Sequence, residues 1–256
     1  MGNNERAVKA QKHIKQMKQF YSNETERSIA KSKIYEPDID TSSVQFIGNY
    51  ENCEISVEDL TTSEAVFKYC RDGGKCSVLN FASYRYAGGG FVKGSFAQEE
   101  ALCHDSNLYG ILSSEKILTD FYGKNWESLY DNLYTSRLVY SPDVMFVLNA
   151  EDIKCDVITC AAPNIGAFKG KDKNPEKYEE ILLNRIDHIL YSAADNGVET
   201  LILGAYGCGV FRNDPYKIAE TFKKLLKNEY KNCFKKVVFA IPKSKNLDAF
   251  KKVFEA

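Results

Sequence analysis

The 256-residue chain predicts an α/β fold, with a largely parallel sheet and helices on both faces. Three observations point there. The second half alternates short apolar strands with helical stretches, and a strand–helix–strand chain brings successive strands back in the same direction. The two most glycine-rich loops each follow a predicted strand. Hydrophobic residues make up 44% of the chain, enough for a sizeable core. The length suits one α/β domain with additions. Residues 1–256 are therefore taken as a single domain, with 1–43 as an N-terminal extension packed on it.

Taken in order, residues 4–22 form a helix, because Ala7, Ala10, Ile14, Met17 and Tyr21 fall on one face. Lys9, Lys12, Lys15 and Lys18 fall on the remaining surface and read as a solvated face. Short strands are expected at 44–48 and 53–58. Thr61 to Glu64 offers a capped helix start, and Gly73-Gly74 stops that helix after about Arg71. Residues 76–82 form an apolar strand, followed by a glycine-rich loop and a helix from Gln98 to Tyr109. Further strands are expected at 144–149, 156–161, 199–205 and 236–241. Helices are expected at 175–195, 215–228 and 246–254.

Charge and composition exclude several classes. Lysine and arginine number 34 against 35 acidic residues, a net charge of -1. A general nucleic-acid or membrane binder carries a basic excess. No run approaches the ~20 apolar residues of a membrane helix, and the N-terminus lacks a signal-like apolar stretch. MGNNER opens like a myristoylation signal but has Arg6 where Ser or Thr is needed. A soluble, cytoplasmic monomer is the expectation. The eight cysteines, at 53, 70, 76, 103, 155, 160, 208 and 233, form no CxxC pair. They are expected to be free, reduced thiols rather than a zinc site. With three histidines, no metal site and no cofactor is expected. His13 and His188 both read as helix residues, packed or on the surface.

The chemistry is expected at the first loop, NFASYRYAGGGFVKGSFAQEE over 80–100. Gly88-Gly89-Gly90 lets the backbone take left-handed angles and approach a ligand closely. Its N–H groups can cradle an anion. Gln98-Glu99-Glu100 then opens a helix with an acidic first turn, which the helix dipole favours in any case. Taken alone, the segment fits a flexible connector as well as it fits a site.

The full arrangement says more. Gly88-Gly89-Gly90, seven residues, then Gln98-Glu99-Glu100 resembles the signature of poly(ADP-ribose) glycohydrolases. The flanks resemble the bacterial type of that family. They are Asn80-Phe81-Ala82, Ser106-Asn107-Leu108-Tyr109, Tyr140-Ser141-Pro142-Asp143-Val144, the segment 157–164 and Gly204-Ala205-Tyr206-Gly207-Cys208-Gly209-Val210-Phe211. The resemblance covers most of the chain, with the motifs in the expected order.

It implies a three-layer α/β/α sandwich of the macrodomain kind, with a mixed, largely parallel sheet and an N-terminal helical extension. It implies Glu100 as the catalytic acid, Glu99 as the residue holding the ribose hydroxyls, and Asn80 in the ribose pocket. Gly88, Gly89 and Gly90, with Gln98 beside them, belong by the same resemblance to the substrate-binding set. Poly(ADP-ribose) or ADP-ribosylated macromolecules are then the partners and ADP-ribose the product, with cleavage mainly from the chain end. His104 stands where a basic residue, often arginine, is expected. That departure puts an outer contact in doubt.

The residues suit those roles. Cleaving a ribose–ribose bond needs an acid to protonate the leaving oxygen. Neighbours on a helix point about 100° apart, so Glu99 and Glu100 do not face each other across one bond. A division of labour follows, with Glu100 toward the bond and Glu99 toward the hydroxyls. An acid at a helix start faces a dipole that favours its ionised form, which burial or a neighbouring negative charge must offset. The substrate diphosphate is one such charge; burial alone is the other account.

The second loop, Gly204 to Phe211, follows the apolar strand Thr200-Leu201-Ile202-Leu203. Its glycines suit backbone contact with a diphosphate, and it lacks the Gly-Lys-Ser/Thr of a P-loop. The resemblance makes Gly207, Cys208, Gly209 and Val210 the diphosphate loop and Phe211 an aromatic that positions the ligand. Cys208, with no histidine near it in sequence, reads as a small loop residue. Rival functions are a non-catalytic ADP-ribose-binding macrodomain, which needs no Gln98-Glu99-Glu100, and a hydrolase of mono-ADP-ribosylated targets.

Overall fold

A computed structural model of the protein describes residues 2–41, 48–71, 73–168 and 175–255. Two helices open the chain, α1 (Asn3–Phe20) and α2 (Ser22–Lys31), followed by the short strand β1 (Lys33–Tyr35). The chain then runs through β2 (Glu54–Glu58), α3 (Thr62–Tyr69), β3 (Cys76–Phe81), α4 (Gln98–His104) and α5 (Leu108–Leu112). Next, α6 (Glu115–Ile117) leads through a π-helical stretch at Leu118–Gly123 into α7 (Lys124–Glu127). The remainder is β4 (Leu138–Leu148), β5 (Glu151–Cys160), α8 (Pro175–Asp195), β6 (Thr200–Leu203), α9 (Pro215–Lys227), β7 (Lys236–Ala240) and α10 (Lys245–Phe254). No helix among the described residues is long and apolar enough to cross a membrane.

The seven strands form one mixed sheet in the order β1-β4-β5-β3-β6-β7-β2. The run from β5 to β2 is parallel, while β1–β4 and β4–β5 are antiparallel. Side chains alternate across the sheet, as the two-residue period of a strand requires. Val78, Val157 and Ile202 face the layer of α3 to α5, with Val66, Leu102 and Ile111. Leu79, Ile158, Leu201 and Leu203 face the opposite layer, with Ile186, Phe222 and Phe250 of α8, α9 and α10.

Local signals explain several boundaries. Glu64 N–H donates to the Thr61 side chain and Thr61 N–H to Glu64 Oε2, a reciprocal cap that starts α3. Asp214 accepts from Tyr216 N–H ahead of Pro215, which starts α9. The buried side of α1 is the predicted one, with Ala10 fully covered and the four lysines exposed.

Four expectations need correction or placement. The single helix over 4–22 breaks at Tyr21, and a second helix follows. The helix predicted over 98–109 breaks after His104, because Ser106 bridges to Phe146 and Asn107 exchanges hydrogen bonds with the Met145 backbone. The strand predicted at 144–149 belongs to a longer hairpin that turns at Asn149 and Ala150, both at positive φ. Such a turn matches the twist of two antiparallel strands. The strand expected over 44–48 falls largely on 42–47, outside the described residues.

The expectation of eight free thiols also needs correction. Cys70 and Cys76 are joined as a disulfide, and the other six are free. The end of α3 meets the start of β3 there, with the two Cα atoms 5.5 Å apart. That separation suits a bridge but cannot be inferred from the spacing of the two residues in the sequence.

Candidate functional site

β3 and β6 are neighbouring parallel strands, so the loops leaving their carboxyl ends emerge side by side. That is where ligands sit in parallel sheets. At the end of β3, Asn80 is fully buried and pairs in register with Thr159 of β5. Its Nδ2 lies 3.3 Å from Glu99 Oε1 and 3.4 Å from Thr159 Oγ1. Its Oδ1 is buried with no hydrogen-bond partner among the described residues. A fully buried acceptor left unpaired is unfavourable unless something else donates to it.

Helix α4 is tied to β3 by Gln98. Its Oε1 accepts from Phe81 N–H at 2.8 Å and its Nε2 donates to Leu79 O at 2.8 Å. The amide thus bonds the backbone of β3 on both sides of Asn80. Both ends of the amide of Gln98, a residue expected in the substrate-binding set, are thus engaged by β3.

Glu99 and Glu100 are both buried, at 3% and 7% exposure, and they diverge. Glu99 turns to the strand end, where Oε1 meets Asn80 and Oε2 accepts from Ser83 N–H at 2.7 Å. Glu100 turns to the loop, where Oε1 accepts from Gly90 N–H at 2.8 Å and Oε2 from Ala97 N–H at 2.9 Å. Burial pushes the Glu99 carboxyl up to about 8, and the neighbouring Glu100 charge adds to this; the donors Ser83 and Asn80 oppose it.

The glycines between β3 and α4 are required by space and by angle. Gly88 and Gly89 have φ of +65° and +59°. A Cβ on Gly89 would lie 2.6 Å from Glu100 Oε1 and 2.9 Å from Glu99 Oε2. The loop is braced from behind by α1, where Arg6 Nε donates to Gly94 O at 2.7 Å. Phe91 packs edge-on to His104, with centroids 4.7 Å apart. Burial, with the charges of Lys9, His13 and Arg6, pushes His104 down to about 4. It is a neutral packing residue at physiological pH rather than an outer cationic contact.

The second loop is pinned by Asn213, whose Nδ2 donates to Pro163 O at 2.9 Å and Gly207 O at 3.0 Å. Its Oδ1 accepts from Tyr178. Gly207, at φ +71°, has Asn213 Nδ2 2.4 Å from where a Cβ would sit. The N–H groups of Gly209, Val210 and Phe211 find no acceptor among the described residues, so three successive donors are available to a ligand. Val210 stands out at 83% exposure. Phe211 meets Tyr134 at 6.0 Å, and Tyr134 stacks on Tyr84 at 4.2 Å, an aromatic row leading back to the first loop. Burial pushes the Cys208 thiol up to about 12, the wrong direction for a nucleophile.

Sequence reasoning placed Asn213 only as a helix start and did not single out Ser83 or Thr159. The Ser83 contact is made by backbone, which no side-chain pattern reveals. Among the described residues, one group of ligand-type side chains lies close enough to hold a metal, Cys70, Cys76 and Cys155. It sits at the opposite end of β3 from Asn80 and takes no part in the site.

Comparisons with known proteins give the family. Residues 3–149 match the family model of the microbial-type PARG (poly(ADP-ribose) glycohydrolase) catalytic domain. No curated protein matches the sequence. Among solved structures, the poly(ADP-ribose) glycohydrolase of Thermomonospora curvata is 29% identical, with a TM-score of 0.89, covering 98% of this chain and 100% of that one. The same enzyme bound to the inhibitor ADP-HPD superposes with a TM-score of 0.87 at the same identity and coverage. The poly(ADP-ribose) glycohydrolase of Deinococcus radiodurans in complex with ADP-ribose is 32% identical, with a TM-score of 0.79, covering 90% of this chain and 97% of that one. With more than half its length matched by one family model, the chain belongs to the microbial-type poly(ADP-ribose) glycohydrolases.

Proposed function

We propose that the protein hydrolyses ribose–ribose bonds of poly(ADP-ribose), releasing ADP-ribose from the chain end, with Glu100 as the acid. The observation that carries this reading is the divergent pair of buried carboxylates, Glu99 on Asn80 and Ser83, Glu100 on the glycine loop. One carboxylate is thereby committed to holding hydroxyls and the other to the bond.

The steps follow from the donors and acceptors. A ribose hydroxyl donates to the unpaired Asn80 Oδ1, and its neighbour donates to Glu99. The free N–H groups of Gly209, Val210 and Phe211 take the diphosphate. Hydroxyl donors favour the ionised form of Glu99. Glu100 gives a proton to the leaving oxygen as the bond to the anomeric carbon breaks. Water then adds to that carbon, and a carboxylate accepts the proton that the water loses.

The test is incubation with poly(ADP-ribose) and measurement of free ADP-ribose, with Glu100→Gln beside the native protein. Loss of a general acid costs on the order of 10²–10⁴-fold in rate, and ADP-ribose binding is expected to survive. Binding of ADP-ribose without release by the native protein would point instead to a reader of the modification.

A further inference from the structure

Four side chains beside the first loop remain unexplained by that chemistry. Tyr86 and Trp126 are large aromatics left 52% and 46% exposed, and their rings meet edge-on with centroids 5.6 Å apart. The Arg85 guanidinium lies 5.0 Å from the Trp126 ring centre and 5.8 Å from that of Tyr86. The Lys93 ammonium lies 5.9 Å from the Tyr86 ring. Among the described residues neither cation is in an ion pair. The cluster therefore offers flat rings and two uncommitted positive charges on one patch.

The patch is also fixed in place next to the acid. Gly89 N–H donates to Tyr86 O, and Lys93 N–H donates to Gly90 O. Gly90 N–H in turn donates to Glu100 Oε1. Tyr86 and Lys93 thus bracket the glycine loop whose Gly90 N–H holds Glu100. Trp126 is held outward because its neighbour Asn125 is fully buried, donating to Tyr84 O at 3.0 Å.

We infer that Arg85, Tyr86, Lys93 and Trp126 form a subsite for the polymer's next ADP-ribose unit, the one that departs with the oxygen protonated by Glu100. This rests on the glycohydrolase reading. The departing unit carries an adenine, which has a face for Tyr86 or Trp126, and a diphosphate, which has charge for Arg85 and Lys93. Base–aromatic stacking tolerates any position along a chain, and two cations without carboxylate partners hold a diphosphate without first breaking an ion pair. The subsite selects polymer over a singly modified protein, since only the polymer has a nucleotide on the leaving side.

Trp126 is the one tryptophan in the chain, so its fluorescence reports this patch alone. In the Glu100→Gln protein, which holds substrate without turning it over, short ADP-ribose oligomers are expected to quench Trp126 emission, while ADP-ribose at matched occupancy leaves it unchanged. Equal quenching by the monomer would assign the patch to the first unit and overturn the inference. Binding of both ligands by calorimetry with no change in emission would overturn it as well. If neither ligand bound, the glycohydrolase reading would fall and the subsite with it. Independently, Trp126→Ala and Arg85→Ala should each raise KM for polymer about tenfold with kcat unchanged. Release from a substrate carrying one ADP-ribose unit should not alter. An unaltered KM for polymer in both variants would refute the subsite.

Discussion

Gly90 N–H and Glu100 Oε1 are joined by a hydrogen bond of 2.8 Å, so the acid and the glycine loop move as one unit. The adjacent Gly89 leaves no room for a side chain, since a Cβ there would press on both carboxylates at 2.6 and 2.9 Å. Gly89→Ala should therefore displace Glu99 and Glu100 together. A misplacement of about 1 Å can cost 10²-fold in rate, and a fall of that order in kcat/KM is expected. Initial rates of ADP-ribose release measure it; a variant within threefold of the native rate would mean the loop is not part of the machinery.

The burial of Glu99 has a consequence for stability. Its folded carboxyl titrates at about 8 against an ordinary 4.5, so between those values the folded state holds a proton that the unfolded chain has lost. Stability is thus lost as pH rises from about 4.5 through about 8. Glu99→Gln removes the titration, so its melting temperature relative to native protein should be higher at pH 9 than at pH 4. For a protein of this size each kcal/mol recovered is worth roughly 2–4 °C. A melting difference independent of pH would show that burial does not raise the Glu99 carboxyl.

Gln98 offers a separate test of positioning. Its amide bonds the backbone on both sides of Asn80. Gln98→Ala should lower stability by about 1–3 kcal/mol and reduce kcat more than it raises KM, because the carboxylates lose their anchor while the diphosphate loop is untouched. Gln98→Glu should not rescue it, because a carboxylate cannot donate to Leu79 O. Full activity in the glutamate variant would show that the tie does not position the acid.

The Cys70–Cys76 bridge predicts a thiol count. Denatured but unreduced protein should titrate six thiols, matching the free cysteines at 53, 103, 155, 160, 208 and 233, and reduced protein should titrate two more. Cys70→Ser should cost roughly 2 kcal/mol, the loop-closure effect of so short a loop. ADP-ribose release should be retained, since the bridge lies at the far end of β3 from Asn80. Eight thiols before reduction would show the bridge to be open in solution.

The helices most legible in sequence were those with their own punctuation, α3 with its Thr61–Glu64 cap and α9 with Asp214 and Pro215. The hairpin of β4 and β5 was not legible as antiparallel, because its Asn149-Ala150 turn lacks the glycine that marks such turns. The break after His104 was hidden as well. The segment 98–109 is helical by pattern, but Ser106 and Asn107 find better partners on β4, forty residues away.

By itself the sequence determined the α/β class, the two loops and the pair Glu99–Glu100, because alternation, glycine runs and helix starts are encoded by near neighbours. Tertiary structure alone decided three things: that the Gln98 amide bonds the backbone of β3, that Cys70 meets Cys76, and that burial raises the Glu99 carboxyl. Each depends on burial and on distances between segments far apart in the chain, and these come into being only when β3, α4 and the strands beside them pack together.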